Sequence, residues 1–407
     1  MSDASPPAPP PPLPLEEAQR RLLDSVDALS AETVQLEESA GRCLATDLSS
    51  RRTQPAADLS AMDGYALRAD DLAGPWQVVG ESAAGHPYSG ELRAGEAIRI
   101  STGAMMPAGG GAVLLQENAT REGDAVSLNG EGEPTPRHIR RAGFDFRKGD
   151  VLLPRGTGLD AAKIALAISG GHETAEVARQ ANVAIIDSGD ELAAEPGNLA
   201  QHQIPASNGA MLAALAAPHA AEIRRLGPVP DRLAALVAAF EAAEDCDVIV
   251  TSGGASVGDH DLVRPALEQW GAEIDFWRIA MKPGKPLLVA RKGHRVVLGL
   301  PGNPVSSYVT AFLFLLPLLR KLGGAGSPLP VRISLPLAES LPAVGKRTEF
   351  VRARIENGAV RALSEQDSSA LVSLSRAQCL IVRDAGSNAV SAGEMVPVYL
   401  LQNGGIA

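Results

Sequence analysis

Residues 247–259, DVIVTSGGASVGD, indicate the class of fold more clearly than any other part of the chain. Residues 248–250 are a continuous apolar run, which is typical of a strand buried on both faces of a parallel sheet. Gly253, Gly254 and Gly258 follow, and glycines let a backbone turn tightly and approach a ligand closely. This order of strand, glycine turn and helix predicts an α/β sheet that binds its ligand at the carboxyl ends of the strands.

The pattern continues on both sides of this segment. Further apolar strands are predicted at residues 183–186 and in the segments KPLLVA and HRVVLGL. Helices are predicted at residues 208–217, 231–241 and 261–270, and a long apolar helix follows the turn PGNP. Near-continuous apolar strands that alternate with helices predict a parallel sheet covered by helices on both faces.

The remaining parts of the chain have other patterns of apolar and turn residues. Residues 15–29 and 161–169 show helical spacing, residues 37–46 read as a short helix or turn, and residues 53–144 alternate short apolar pieces with turn residues. We therefore expect five regions: a disordered proline-rich tail at 1–14, a helical linking domain at 15–52 plus 146–180, a β-rich inserted lobe at 53–145, an α/β domain at 181–324, and a small β-domain at 329–407 after a glycine-rich linker.

Composition excludes several classes of protein. A net charge of −11 and an aromatic content of 3% argue against a nucleic-acid binder, which needs a basic surface and stacking side chains. The three cysteines are far apart and exclude a disulfide framework or a sulfur-rich zinc site. The longest apolar run, 309–319, is about half the length that spans a bilayer, so it predicts a core helix. With no targeting segment, we expect a cytoplasmic protein of two to four domains that uses neither nucleic acid nor membrane.

Three turns carry the pattern of an anion site. The glycine loop offers N–H groups and the hydroxyls of Ser252 and Ser256, and Asp259 and Asp261 follow as candidate metal ligands. Lys282 and Lys285 stand in the proline-stiffened segment KPGKP. The alternatives are an ordinary βα turn in which Asp261 caps a helix, and lysines that are simply solvated.

The third turn, LPGNPVSS, has Pro301, Gly302, Asn303 and Pro304 before a helix whose first turn contains Ser306. Free N–H groups at a helix start suit an oxyanion, although a rigid strand-to-helix turn explains the same residues. Asp190 and Glu191 follow the strand at 183–186 and would serve metal or proton chemistry, or simply a helix N-terminus. Asp63 and Thr102 have no mechanism that spacing alone supports. No histidine pattern of a zinc site and no GxSxG motif is present.

Seven segments occur together and in order: SAMDGYA, STGAMMPAGGGAVL, IRRAGFDFRKGDVLLPRGT, SGDEL, TSGGASVGDHD, KPGKP and LPGNPVS. In this combination the chain resembles the molybdopterin molybdenumtransferase (MoeA) family and the related gephyrin E domain. The resemblance covers nearly everything after the proline-rich tail. It implies a three-layer α/β molybdopterin-binding domain, a C-terminal β-barrel, and a homodimer whose active site lies between the α/β domain of one subunit and the inserted lobe of the other.

The resemblance also implies a reaction. Adenylylated molybdopterin and molybdate would give molybdenum cofactor and AMP with the help of Mg²⁺. It implies catalytic roles for Asp63, Thr102 and Asp145 of the lobe and for Glu191, Asp231 and Asp261 of the α/β domain, with Glu191 and Asp261 as metal ligands. Substrate binding would fall to Ser252, Gly253, Gly254, Ser256, Gly258, Lys282, Lys285, Pro301, Gly302, Asn303, Pro304, Ser306, Arg352 and Ser368. The implied partners are the molybdopterin adenylyltransferase and the acceptor molybdoenzymes.

Two departures from the family pattern keep other functions open. Relatives usually show Asp-Thr-Asn where this chain has Ala206, Ser207 and Asn208, and Asp367 replaces a glycine beside the expected molybdate site. One alternative is the preceding adenylylation of molybdopterin, although that enzyme is normally a short single domain. The other is a pterin-binding paralogue without turnover. Molybdate-dependent release of AMP separates these hypotheses.

Overall fold

The fold is described from a computed structural model, which covers residues 12–197, 199–253 and 262–401, with the side chains of Phe276 and Trp277 left out. Within these residues the chain forms three six-stranded sheets and several two-stranded ribbons. Each large sheet has its own buried core, and the largest core lies beside the long apolar helix near residue 313.

The first part of the chain contributes a helix and short strands to two different neighbours. Its elements before the lobe are α1 (Leu15–Asp24), β1 (Ala31–Gln35) and β2 (Leu48–Ser49). The chain returns from the lobe through β11 (Val151–Leu153), α2 (Ala161–Ser169) and β12 (Thr174–Ala178), and these pair antiparallel as β1 with β12 and β2 with β11. Helix α1 instead packs against the long apolar helix, because its apolar face joins that core.

The inserted lobe is a β-structure between β2 and β11. Its strands are β3 (Leu59–Ser60), β4 (Gly64–Arg68), β5 (Trp76–Ser82), β6 (Glu96–Ile100), β7 (Gly110–Leu115), β8 (Ala119–Glu122), β9 (Ala125–Leu128) and β10 (Ile139–Arg140). Six of them form one sheet in the order β7-β4-β6-β5-β9-β8. Buried and exposed residues alternate along β5, so one face of this strand packs against the lobe core and the other is exposed.

The α/β part contains the strands that the apolar runs predicted. Its elements are β13 (Ala181–Ser188), β14 (Leu192–Ala193), β15 (Ile204–Pro205), α3 (Asn208–Ala216), β16 (Ala220–Val229), α4 (Leu233–Ala242), β17 (Val248–Ser252), α5 (Val263–Trp270), β18 (Glu273–Arg278), β19 (Met281–Lys282), β20 (Pro286–Lys292) and β21 (Arg295–Leu300). The main sheet has the order β16-β13-β17-β21-β20-β18. Helix α5 ends at Gly271, whose φ of 86° is the left-handed conformation common after a helix.

The prediction of a parallel sheet was wrong for one strand, β20. β16, β13, β17 and β21 run parallel, whereas β20 is antiparallel to both β21 and β18. Only Gly293 and His294 separate β20 from β21, so the connection is a hairpin. A hairpin makes neighbouring strands antiparallel, since a parallel pair needs a crossover of a dozen or more residues.

One continuous helix, Pro304–Leu322, closes the α/β part and consists of α6 (Pro304–Thr310), a π-helical turn (Ala311–Leu315) and α7 (Leu316–Leu322). Among the described residues it is the one helix long and apolar enough to cross a membrane, but 83% of its apolar window is buried inside the protein. The prediction of a core helix is therefore confirmed. In the π-turn, the Leu313 carbonyl accepts a 2.8 Å hydrogen bond from Nε2 of the buried Gln19.

The C-terminal part is a β-sheet that closes on itself. Its elements are β22 (Ile333–Pro336), β23 (Thr348–Glu356), β24 (Ala359–Ala362), α8 (Leu371–Arg376), β25 (Cys379–Arg383) and β26 (Met395–Leu400). Strand order runs from β22 through β26, β25 and β23, with β24 beside β23. Leu337 then bridges Val360 of β24, which joins the two ends into a barrel. β19 of the α/β part pairs with β23, so the two parts share backbone hydrogen bonds.

Some local predictions were too long or missed an element. Helix 15–29 ends at Asp24, where Ser25 donates to the Leu22 carbonyl and the chain leaves the helix. Of the two structures predicted for residues 37–46, a short helix or a turn, the chain has a 3₁₀ turn, which covers Leu36–Glu38. The ten-residue strand β16 was not predicted, because most of its side chains are exposed or half-buried at the sheet edge and it lacks an apolar run.

Candidate functional site

A cavity of ≈ 750 Å³ opens at the carboxyl ends of β13, β17 and β21. Eight of the predicted site residues line it: Glu191, Asp231, Ser252, Gly253, Pro301, Gly302, Asn303 and Pro304. Because strands that run parallel end at one edge of a sheet, turns that are distant in sequence meet there. No lysine or arginine is among the described residues that line this cavity.

One wall of the cavity is acidic. Asp231 and Glu191 are both exposed, and the backbone N–H of Asp231 donates to Oδ1 of Asp190 over 3.1 Å. Partial burial raises the pKa of Asp231, and the negative charges of Asp190 and Glu191 raise it further. Asp231 and Glu191, with Asp190 beside them, give this wall a negative charge.

The end of β17 supplies the floor of the cavity. Gly253 has a φ of +98°, and a Cβ on it would lie 2.9 Å from the Ser188 carbonyl oxygen, so the turn requires glycine. Ser252 lies beside Asp187 in the parallel register of β13 and β17. The Ser252 hydroxyl oxygen accepts a 2.9 Å hydrogen bond from Nδ2 of Asn208, at the start of α3.

The Pro301–Pro304 turn is held from two sides. Nδ2 of Asn208 donates to the Gly302 carbonyl over 2.7 Å, in addition to its bond to Ser252. On the other side, Nδ2 of Asn303 donates 3.1 Å to the hydroxyl oxygen of Ser368, and the Val305 N–H donates 3.0 Å to the Ser368 carbonyl. A loop of the barrel therefore satisfies a free N–H at the start of the long helix.

The same barrel loop covers Arg352. The Arg352 side chain is 1% exposed, and its Nη2 donates 3.0 Å to the carbonyls of Glu365 and Asp367. Nε and Nη1 are buried without a hydrogen-bond partner among the described residues. Burial lowers the pKa of this guanidinium, while the Glu365 and Asp367 carboxylates oppose the shift. Arg352 thus lies beneath the loop that carries Ser368 rather than on the cavity surface.

Lys282, Lys285 and Ser306 do not line the cavity. Nζ of Lys282 is 3.2 Å from Oε1 of Glu349, its neighbour in the pairing of β19 with β23. Lys285 is exposed and precedes Pro286, which does line the cavity. The Ser306 side chain is buried in the first turn of α6.

The lobe residues form a separate group. Oδ1 of Asp63 accepts a 2.6 Å hydrogen bond from the Thr102 N–H, and this bond lowers the pKa of Asp63. Asp145 is exposed, and its N–H donates to the Gln54 carbonyl. None of the three lines the cavity of the same chain. The structure therefore brings Asp63 and Thr102 together but keeps them away from Glu191 and Asp231.

Four predicted site residues, Gly254, Ser256, Gly258 and Asp261, lie outside the described residues. Of the predicted metal ligands, Glu191 is among the described residues and Asp261 is not. Within the described ranges no three His, Cys, Asp or Glu residues gather in a way that would hold a metal.

Comparison with known proteins identifies the family. Residues 13–171 match the model of the MoeA N-terminal region (domain I and II), residues 184–321 match a probable molybdopterin binding domain, and residues 334–401 match the MoeA C-terminal region (domain IV). The molybdopterin molybdenumtransferase of Haemophilus influenzae is 35% identical over 396 residues, which are 95% of this chain and 98% of that protein. The molybdopterin molybdenumtransferase of Bacillus subtilis is 33% identical over 410 residues, 96% of this chain and 94% of the relative.

The fold agrees with this match. A crystal structure of the molybdopterin biosynthesis MoeA protein from Pyrococcus horikoshii superposes with a TM-score of 0.83 and 29% identity, covering 96% of this chain and 100% of the other. The chain belongs to the MoeA family of molybdopterin molybdenumtransferases. The predicted multidomain α/β fold and the enzyme class, a transferase of molybdenum-cofactor biosynthesis, are confirmed.

In this MoeA-family chain, both departures can now be located. Ala206 lines the cavity and contributes no carboxylate to its wall. Oδ1 of Asp367 accepts bonds from the Ser369 N–H (2.8 Å) and hydroxyl (2.5 Å), which lower the Asp367 pKa. The carboxylate of Asp367 is therefore bound within its own loop, and only its main-chain carbonyl contacts Arg352.

The lining residues that were not predicted as part of the site include Asp187 and Asn208. Asp187 lines the cavity and is 4% exposed, and burial raises its pKa. Asn208 was noted only as part of a segment that departs from the family. A signal for Asp187 existed, since a carboxylate is unusual in an apolar strand and is rarely buried without a function or a partner.

Proposed function

We propose that this chain inserts molybdate into adenylylated molybdopterin, releasing AMP and forming molybdenum cofactor. The observation that carries the proposal is the cavity itself: the glycine turn after β17 and the Pro301–Pro304 turn meet beside an acidic wall, in a chain that matches the MoeA family over three successive regions. N–H groups at such turns suit the phosphates of the substrate.

The charges around the cavity support a role for Mg²⁺. A wall with Asp231 and Glu191, and no basic side chain among its described lining residues, repels a phosphorylated substrate unless a cation is present. Mg²⁺ prefers carboxylate and phosphate oxygens. Glu191 and Asp261 would hold it, with Asp231 beside them. When bound, Mg²⁺ supplies positive charge that neutralises the phosphate oxygens.

Arg352 supports a molybdate site under the barrel loop. Its Nε and Nη1 are buried without a partner in the described part of the chain, and a buried cation in that state favours an anion nearby. Ser368 is in the loop directly above, and Lys282 and Lys285 stand at the junction of the α/β part and the barrel. These four residues would bind molybdate, and Pro301, Pro304 and Ser306 would shape the space beside them.

The position of the lobe residues supports a homodimer. Asp63 and Thr102 contact each other on an exposed surface, and with Asp145 they lie apart from the cavity of their own chain. In a two-fold dimer they would complete the cavity of the partner.

We also propose the domain division at residues 52, 145, 180 and 324, and a cytoplasmic location.

Purified protein given adenylylated molybdopterin, molybdate and Mg²⁺ tests the reaction, with AMP and cofactor followed in time. The proposal predicts AMP release that requires molybdate. Tight binding of the substrate without turnover would instead identify a non-catalytic paralogue. Adenylylation of free molybdopterin by ATP would identify the preceding enzyme of the pathway.

Mixed dimers test the shared site. Asp63→Ala and Asp231→Asn are each expected to be inactive. Because half of randomly mixed dimers pair the two variants, and such a dimer has one intact site, mixing after dissociation should restore about a quarter of wild-type activity. Two copies of the same inactive variant are the control. No recovery in verified mixed dimers would show that each cavity works with its own lobe or with none.

A further inference from the structure

The backbone bond from the Gly253 N–H to the Leu300 carbonyl, at 3.2 Å, joins the ends of β17 and β21, and the side chain of Asn208 adds a second connection further into the turn after β21. Its Nδ2 donates 2.9 Å to the Ser252 hydroxyl oxygen and 2.7 Å to the Gly302 carbonyl. These partners are 44 and 94 residues away in sequence, one at the end of β17 and one in the turn after β21. A carboxamide nitrogen has two N–H donors, and this geometry uses both of them.

The start of α3, which carries Asn208, is itself fixed from outside the helix. Ser207 makes no side-chain capping bond. Instead Oδ2 of Asp187 accepts a 3.1 Å hydrogen bond from the Gly209 N–H. A carboxylate at this position also meets the positive end of the helix dipole. Asp187 stands beside Ser252 in the register of β13 and β17, so it holds Asn208 next to one of its two acceptors.

Gly209 and Asp187 fit each other closely. A Cβ on Gly209 would lie 2.1 Å from Oδ2 of Asp187, which is far inside contact distance. Any side chain at 209 would therefore displace either the carboxylate or the start of α3. Since Asp187 is 4% exposed and packed within the sheet, the helix start is the part that would have to move.

We propose that Asn208 is a positioning residue that sets the separation of the two anion-binding turns, and that Asp187 positions Asn208 through Gly209. The inference rests on the proposed function, because the anion is the phosphate group of adenylylated molybdopterin. Without Asn208, the Gly302 carbonyl would be free to turn its lone pairs toward that phosphate, and Ser252 would lose its fixed orientation. Binding of the phosphorylated substrate would weaken, while molybdate contacts around Arg352 and Lys282 would be unaffected.

Asn208→Ala and Asn208→Asp test the two hydrogen bonds that Asn208 donates to Ser252 and Gly302. Both should raise the dissociation constant and the KM for adenylylated molybdopterin by about tenfold or more, as expected for the loss of two hydrogen bonds. The KM for molybdate should stay within about twofold of wild type, which a general loss of structure would not allow. Asn208→Asp keeps the size, lacks the donors and adds a negative charge, whereas Asn208→Ala lacks the donors and adds no charge, so a loss of affinity shared by both variants is due to the donors rather than to volume or charge. Asn129→Ala, which removes a 2.7 Å bond to the Glu117 carbonyl in the lobe, is the matched control.

Two further variants test how Asn208 acts. If it acts partly through Ser252, Asn208→Ala combined with Ser252→Ala should cost less than the product of the single effects. Gly209→Ala should weaken substrate binding like Asn208→Ala. Wild-type affinity in Gly209→Ala would overturn the role of Asp187.

Equilibrium titration with adenylylated molybdopterin separates the inference from the proposed reaction, since it needs no turnover. Wild-type affinity in both Asn208 variants would overturn the inference even if the wild-type enzyme releases AMP. Weakened affinity in both, with a wild type that binds but does not turn over, would support the inference and overturn the reaction. No binding by the wild-type protein would overturn both.

Discussion

Asn303 and Ser368 are 65 residues apart in sequence, and Nδ2 of Asn303 donates to the Ser368 hydroxyl oxygen over 3.1 Å. The bond joins the turn after β21 to a loop of the C-terminal barrel. The adjoining bond from the Val305 N–H to the Ser368 carbonyl, at 3.0 Å, is formed by the backbone alone. The cavity is therefore built by two parts of the chain, and one of the two hydrogen bonds to Ser368 depends on a side chain.

Ser368→Ala removes that tie and keeps the backbone bond. We expect the KM for molybdate to rise about tenfold, since one hydrogen bond is worth about 1 kcal/mol and the hydroxyl also faces the proposed anion. Steady-state kinetics with varied molybdate measures the effect. Ser375→Ala, which removes an exposed hydroxyl bonded to the Val372 carbonyl, is the control. Equal KM values in the two variants would show that Ser368 has no part in molybdate binding.

Arg352→Lys keeps the charge and loses the planar fork of donors. A lysine cannot bond two carbonyls of the loop and an anion with the same geometry, so we expect molybdate affinity to fall by about tenfold or more. Arg354→Lys changes an exposed arginine on the same strand and should have no effect. Molybdate affinity equal to wild type in Arg352→Lys would argue against an anion at this position.

Gln19→Leu tests the buried bond between α1 and the π-turn. The change leaves the Leu313 carbonyl without its donor in an apolar core, which should lower the free energy of unfolding by about 1–3 kcal/mol. Chemical denaturation measures this. The control is Gln180→Leu, because Gln180 makes an exposed bond to the Pro218 carbonyl. A loss no larger than that of the control would show that the π-turn does not need Gln19.

Asp187→Asn should change stability in a pH-dependent way. Burial raises the pKa of Asp187, so the folded protein disfavours the charged carboxylate. This destabilising contribution is fully present above the folded pKa and disappears as the pH falls through it. The variant should therefore have a higher unfolding midpoint than wild type at pH 8, and the difference should shrink toward acid.

Asp160→Asn gives the opposite control. Hydrogen bonds from Lys163 lower the pKa of Asp160, so its charge stabilises the fold at neutral pH and that contribution is lost in acid. Asp160→Asn should have the lower midpoint at pH 8, with a difference that also shrinks toward acid. A constant offset for Asp187→Asn at every pH would mean that its charge is not the cause.

The apolar strands, the glycine turn and the long core helix could be predicted because each depends on a local pattern. Residues 183–186 and 248–250 are apolar throughout, and an all-apolar helix must be buried. The turns at Gly253 and Pro301–Pro304 were also predicted, because glycine allows backbone conformations that other residues avoid and proline fixes its own φ angle.

Strand direction was not predictable from apolar runs. The runs that form β20 and β21 look like parallel strands, and only the two-residue connection at Gly293 and His294 makes them antiparallel. The closure of the barrel by Leu337 and Val360 depends in the same way on a contact between distant segments.

The sequence alone predicted the fold class and the glycine and proline turns that line the cavity, because turn chemistry and hydrophobic periodicity act over a few residues. The tertiary structure decided which of those residues meet. It placed Lys282 against Glu349, buried Arg352 beneath its loop, and made Asn208 the link between Ser252 and Gly302. Such contacts depend on how whole strands and helices pack, and no local pattern contains that information.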